Sequence, residues 1–297
     1  MAKGNAMKKS VRTSLQNQPK WINDIEVHQL LPTKYVRSIG PFVLLDHISS
    51  WRQSYNETEK AALGKFPVAR RGAITVTYIM KGQIKYIDSK GNHESLNSGC
   101  MQWLNAGFGI VCDQAIKPEF KNGETEISII RAWINLPSTQ KSQPPACFSF
   151  CDAKIPKITL DKKAGWIRIL CGSYDNLQGP FPAYSKQFLY HIHIEPTQTF
   201  SIMTENDQEY AAFLPTNNAS INELQCETGE FILFSSSGEI IEIKTDGNVS
   251  TDIILFGGEA LNEPFVREDA FVMNNPHEIT QAYNDYYDGK YGHILPI

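Results

Sequence analysis

The sequence predicts an all-β chain: two strand-rich units and one helix near the C-terminus. Three observations carry this. Short apolar or β-branched runs alternate with Gly, Asn, Asp, Ser and Pro turn residues along most of the length. Strand-like runs recur at similar spacing on either side of the polar stretch Ser138 to Pro145, and 297 residues suit two domains of roughly 100–200 residues each. Helical periodicity is convincing in one place only, after Asn275.

The elements follow in order. Residues 1–20 are polar with scattered Lys and Arg and read as a loose tail. The first unit spans 21–137. Leu30-Leu31-Pro32 opens it, and Phe42 to Leu45 is an apolar strand. Trp51 to Leu63 reads as a surface loop with one helical turn. Ile74 to Met80 and Gln83 to Ile87 flank Lys81-Gly82, the signature of a hairpin. Asp88 to Asn92 and Ser98-Gly99 set further turns, and the β-branched run Glu126 to Asn135 closes the unit. Ser138 to Pro145 is the expected boundary, and the second unit spans 146–297. Its strands are Trp166 to Cys171, Gln187 to Ile194, Tyr210 to Leu214, Phe231 to Phe234, Ile240 to Lys244 and Thr251 to Phe256. Asn275 can cap the helix, Pro276 suits its first position, and Glu278 completes a capping box. Ile279, Ala282, Tyr283 and Tyr286 fall on one helical face, and Gly289 ends the helix.

Composition excludes several functions. With 28 basic and 32 acidic residues and no basic block, the charge footprint of a nucleic-acid binder is missing. No apolar run reaches the ~18 residues of a membrane span. The N-terminus has no apolar core of a signal peptide, so a cytoplasmic chain with its six cysteines reduced is expected. No Cys-x-x-Cys occurs, which argues against structural zinc.

The informative stretches are Phe66-Pro67-Val68-Ala69-Arg70-Arg71-Gly72-Ala73-Ile74-Thr75-Val76-Thr77-Tyr78 and Gly99 to Gln114, which ends Gly109-Ile110-Val111-Cys112-Asp113-Gln114. Together they resemble the first cupin domain of the pirin family. There the first stretch normally reads His-Pro-His-Arg-Gly-Phe-Glu-Thr-Val-Thr-Tyr and the second ends Gly-Ile-x-His-x-Glu. Val36 to His47, Arg131 to Pro137, Gly257 to Pro264 and Phe271 to Asn274 resemble further segments of that family, in the same order. The resemblance covers about Val36 to Gly292. It implies a bicupin, two stacked antiparallel β-barrels of the double-stranded β-helix type. It also implies non-haem Fe(II) in the first barrel, and either quercetin oxidation or a protein-binding regulatory role.

The liganding positions depart from the pattern. Alternate residues of a strand share a face, so each His-x-His or His-x-Glu pair aims two donors at one point. Imidazoles with one carboxylate suit Fe(II). The matching positions here are Val68, Arg70, Cys112 and Gln114, and the family's nearby Glu is Ile74. Val68 cannot ligate, Arg70 is a fixed cation, and Gln114 is a poor substitute for a carboxylate. Phe66-Pro67 and Arg71-Gly72 fix the register on both sides, and no His occurs between His47 and His93. The expectation is a bicupin without the iron site, a non-redox binder of a small molecule or protein, with no metal cofactor, no nucleic acid and no membrane partner. The alternative is a metal-dependent quercetin 2,3-dioxygenase-type oxidoreductase using Fe(II).

Each candidate residue has two readings. Arg70 could keep the pocket suited to an anionic or phenolic ligand, or Arg70 and Arg71 pair with surface carboxylates such as Asp113. Tyr78, Trp103 and Phe108, with Ile74, are expected as pocket neighbours, either as core or as a stacking surface for a flat ligand. Cys112 is either a nucleophile with a distant base or a small buried apolar residue. His191 and His193 form a His-x-His on a strand, a minor alternative metal site. Tyr190, Ile192 and Ile194 should take the inward face and turn both histidines outward.

Overall fold

The computed structural model describes residues 6–16, 18–22, 25–51, 66–121, 124–245 and 247–294. Beyond Trp51, the stretch read as a surface loop lies outside the described residues. The chain divides into two compact units. The first comprises Pro19–Tyr35, Phe42–Asp152 and Asn262–Ile297; the second comprises Met1–Gln18, Val36–Pro41 and Ala153–Leu261. Among the described residues no helix is long and apolar enough to cross a membrane.

Each unit pairs a seven-stranded sheet with a four-stranded one, the two-sheet form of a cupin rather than a single closed barrel. In the first unit the large sheet runs in the order Ala146–Phe150, Met101–Asn105, Ala73–Lys81, Ser128–Asn135, Phe42–Trp51, Ile25–Leu31 and Lys20–Ile22. The small sheet runs Val68–Arg70, Ile110–Lys117, Gln83–Asp88 and His93–Asn97. In the second unit Glu209–Phe213, Thr251–Gly258 and Gln187–Ile194 form the centre of the large sheet, with Gly165–Cys171 on the far side of Gln187–Ile194. Its core is an apolar cluster built from residues such as Ile192, Ile194, Ile253 and Leu255.

Four expectations are corrected. Ala73–Lys81 and Gln83–Asp88 are not a hairpin. They belong to different sheets, and Gly82, at φ 110°, is the corner where the chain crosses between them. The N-terminal segment is not a loose tail. Val11–Leu15 pairs with Phe231–Phe234 of the second unit, and buried Lys9 donates to the carbonyls of Ser236 and Gly238. The boundary does not fall at Ser138 to Pro145. Ala146–Phe150 pairs with Met101–Asn105, so the first unit continues to Asp152, and the C-terminal 262–297 also belongs to it. Finally, the cysteines are not all thiols. The Phe150–Met101 pairing brings the next residues opposite each other, and Cys100 and Cys151 form a disulfide.

The helix forms as its caps predict. Asn275 Oδ1 accepts from the Glu278 amide at 3.0 Å, and Glu278 reaches back to the Asn274 amide at 2.8 Å. The helix runs Pro276–Tyr287 and ends before Gly289, which adopts φ 74°. Ile279 and Ala282 are buried as expected, together with a residue that periodicity did not flag, Asp285.

Candidate functional site

Strand alternation decides what faces the space between the two sheets of the first unit. In Ile110–Lys117, Ile110, Cys112 and Gln114 share one face. Cys112 stands opposite Val68 and Ile110 opposite Arg70. The four positions carrying the family's metal pattern are therefore on one side of the small sheet. On the large sheet, Thr77 stands between Gln102 and Arg131, and Arg131 stands between Thr77 and Asp46. Hydrogen bonds join the two sheets. Arg131 Nη2 donates to Gln114 Oε1 at 3.0 Å, and Gln114 Nε2 donates to Gln102 Oε1 at 3.1 Å. The result is a polar chamber. Apolar clusters flank it, one around Ile48, Ile79, Ile84 and Ile129, the other around Tyr86, Leu104, Ile110 and Cys112.

Two arginines dominate the chamber. Arg70 Nε donates to Cys112 Sγ at 3.3 Å, and its guanidinium lies 5.4 Å from the Trp133 ring centroid. Arg70 has no carboxylate partner among the described residues. Burial, and then the nearby Arg70 charge, push the Arg131 guanidinium down to about 10. Burial pushes Asp46 up to about 6, against the pull of Arg131 and Arg267. Val68 is 41% exposed, while Cys112 is fully buried among apolar neighbours.

These residues do not fit an iron ion. The four positions offer an aliphatic side chain, a guanidinium, a thiol and a carboxamide. The one plausible donor, the Cys112 sulfur, is engaged by the Arg70 guanidinium. Among the described residues no three His, Cys, Asp or Glu side chains are grouped to hold a metal.

Several sequence expectations are corrected here. Ile74 and Tyr78 alternate with Thr75 and Thr77, so they lie on the opposite face of the sheet from the chamber. Trp103 pairs with Val76 and lies on that same opposite face. Phe108 packs with Tyr291 in a separate apolar cluster. None of these four lines the chamber. Neither arginine pairs with Asp113, whose carboxylate accepts from the amides of Phe66 and Gln114. Arg71 instead makes a buried ion pair with Asp285 at 2.6 Å. Sequence reading missed Asp46, Thr77, Gln102, Arg131 and Trp133. Their signal was present: Arg131 and Asp46 are charged residues inside otherwise apolar strands, and alternation puts Arg131 and Trp133 on one face.

In the second unit, Tyr190, Ile192 and Ile194 enter the apolar interior as expected. The histidines take the other face, yet His191 is buried rather than turned to solvent. Both bond Asp252 Oδ1, His191 Nε2 at 3.0 Å and His193 Nδ1 at 2.8 Å, and Trp166 stacks on the His193 ring. One ring nitrogen of each histidine is thus held by the Asp252 carboxylate. A cavity of about 1300 Å³ also opens in this unit, lined by Tyr174, Phe188, Tyr190 and Tyr210 among others. The Tyr190 hydroxyl donates to the Ser173 carbonyl, and the Tyr210 hydroxyl bonds Gln208 and the Glu205 amide.

Two units with this sheet pattern and one polar chamber define a bicupin. Comparison with known proteins sharpens that class. The Pirin family model matches residues 24–134, and the pirin C-terminal cupin domain model matches residues 189–292. The chain belongs to the pirin family. A Pseudomonas aeruginosa protein with the provisional name quercetin 2,3-dioxygenase is 25% identical over 253 residues, 85% of this chain and 87% of its own. The crystal structure of a quercetin 2,3-dioxygenase from Acinetobacter baumannii superposes with a TM-score of 0.83 at 25% identity, covering 97% of this chain and all of that one. A bacterial pirin from Escherichia coli, solved with nickel(II), shares the fold at a TM-score of 0.63 and 13% identity, covering 84% of this chain and all of its own.

Proposed function

We propose that this chain is a non-redox pirin-like bicupin whose first unit has lost the iron site and binds a small anionic molecule, acting as a ligand-dependent regulatory protein. The observation that supports this most is the placement of Arg70. Its guanidinium stands where the family pattern puts a ligand histidine, engages the one remaining donor, and has no counter-charge among the described residues. A fixed cation there keeps an anion-accepting chamber while removing the means to hold a metal. The likeness to the Acinetobacter baumannii quercetin 2,3-dioxygenase favours a second reading, a metal-dependent oxidoreductase of that type using Fe(II), which metal content decides.

A thermal-shift series at constant ionic strength tests the proposal. Acetate, a monoanion at neutral pH, at about a hundred times its Kd should add about 2.7 kcal/mol, several degrees in Tm. Arg70→Ala should abolish this response. It should leave the Tm of the free protein nearly unchanged, because a lost ring contact of about 0.5–1 kcal/mol is offset by relief of repulsion with Arg131. No response in the wild type to any carboxylate or phenolate, or an unchanged response in Arg70→Ala, would contradict the proposal.

A further inference from the structure

The floor of the chamber carries polar atoms that the described residues leave unsatisfied. Asp46 Oδ1, Thr77 Oγ1, Arg131 Nε and Trp133 Nε1 are buried and have no hydrogen-bond partner among the described residues. Thr77 is 1% and Trp133 8% exposed, so neither side chain turns to bulk water. The four are neighbours by register. Asp46, Arg131 and Thr77 form one row across three strands, and Trp133 lies two residues beyond Arg131 on the same face. Row neighbours stand about 4.5–5.5 Å apart at Cβ, so one small molecule spans the group. Buried polar groups in folded proteins are almost always partnered, and four exceptions in one patch mark a place built for a guest.

Charge and donor inventory define that guest. Arg70 and Arg131, with Arg267 near enough to pull on Asp46, outweigh that one carboxylate and leave the chamber positive, which suits an anion. The guanidinium fork matches a carboxylate. Ionised Asp46 only accepts hydrogen bonds, and the Trp133 indole only donates. A second carboxylate would be repelled by Asp46, and an ammonium would face two guanidinium groups. A hydroxyl donates to Asp46 and accepts from Trp133 without either penalty.

We propose that the chamber binds a small monoanionic hydroxy acid, with its carboxylate on Arg70 and Arg131 and its hydroxyl between Asp46 and Trp133. This rests on the anion-binding reading of the same site given above. It adds the ligand class.

Titration calorimetry on the full chain separates the two claims. Glycolate and lactate are compared with acetate and propionate, their counterparts without the hydroxyl, and catechol serves as a phenolic probe. Each hydroxy acid should bind about tenfold or more tightly than its counterpart, and catechol more weakly than either hydroxy acid. Asp46→Asn should shrink that ratio to about threefold or less while tightening acetate, because it removes a negative charge beside the carboxylate. Trp133→Phe should shrink the ratio without tightening acetate, and it keeps the test open where Asp46→Asn does not fold. Equal affinity for glycolate and acetate, with both lost in Arg70→Ala, overturns the hydroxy-acid assignment and leaves the anion site standing. Preference for catechol overturns it as well. Failure of every carboxylate to bind overturns the anion site with it.

Discussion

The variant carrying Val68→His, Arg70→His, Cys112→His and Gln114→Glu together is expected to bind Fe(II), where single substitutions do not. The geometry for this is already in the backbone. Val68 and Arg70 share one strand face, Cys112 stands opposite Val68, and Gln114 lies two residues further along. Three imidazoles and a carboxylate would then converge from adjacent strands, a donor set suited to Fe(II). The same change removes one of the two guanidinium charges. Arg131, which now donates to Gln114 at 3.0 Å, would hold the new carboxylate and restrain its basicity, so affinity should rise further when Arg131→Gln is added. Anaerobic titration with iron, followed by gel filtration and elemental analysis, reads the outcome. A folded variant without iron would mean that these four positions do not converge as the register requires.

Arg71→Ala is expected to cost about 2–3 kcal/mol, for the lost charge-assisted hydrogen bonds to Asp285 and Tyr291, while Lys290 and Gln281 still hold the Asp285 carboxylate. Arg71 Nη1 lies 2.6 Å from Asp285 Oδ2 and 3.1 Å from the Tyr291 hydroxyl, and its guanidinium sits 4.7 Å from the Phe108 ring centroid. This contact anchors the C-terminal helix within the first unit. Burial pushes Asp285 up, but hydrogen bonds from Lys290, Arg71 and Gln281 outweigh it and hold the carboxyl at about 2. A folded-state value below the ordinary range means that the stabilisation is complete above pH ~4 and is lost as the pH falls through about 2. Urea denaturation at pH 7 and pH 3 checks both statements. A loss below about 1 kcal/mol at pH 7 would show that the helix holds without this pair.

The strand runs and the helix were legible because both rest on local signals. Gln187–Ile194 and Phe231–Phe234 alternate or cluster as strands must, and Asn275-Pro276 with Glu278 announces a helix start. What escaped the sequence depends on pairing at long range. A glycine corner between two sheets and a hairpin turn need the same backbone freedom, so Lys81-Gly82 could not tell them apart. Ala146–Phe150 looks like the start of a new unit until its partner, Met101–Asn105, is known. The liganding positions were legible from the family pattern alone. The rest of the chamber was not, because Asp46, Thr77 and Arg131 come from three strands and meet only through register. Ile74, Tyr78 and Trp103 were misplaced for a related reason. Proximity in sequence to Arg70 or Cys112 says nothing about which face of the sheet a residue takes.

The central claim is that the first unit works without a metal. Its most direct test is the iron content of the purified native chain after anaerobic incubation with Fe(II) and removal of free metal, measured by elemental analysis. Occupancy near zero, with no change when Arg70→Ala is treated alike, is the expected result. One equivalent of iron per chain, lost with the Cys112→Ala substitution, would contradict the claim and restore the oxidoreductase reading.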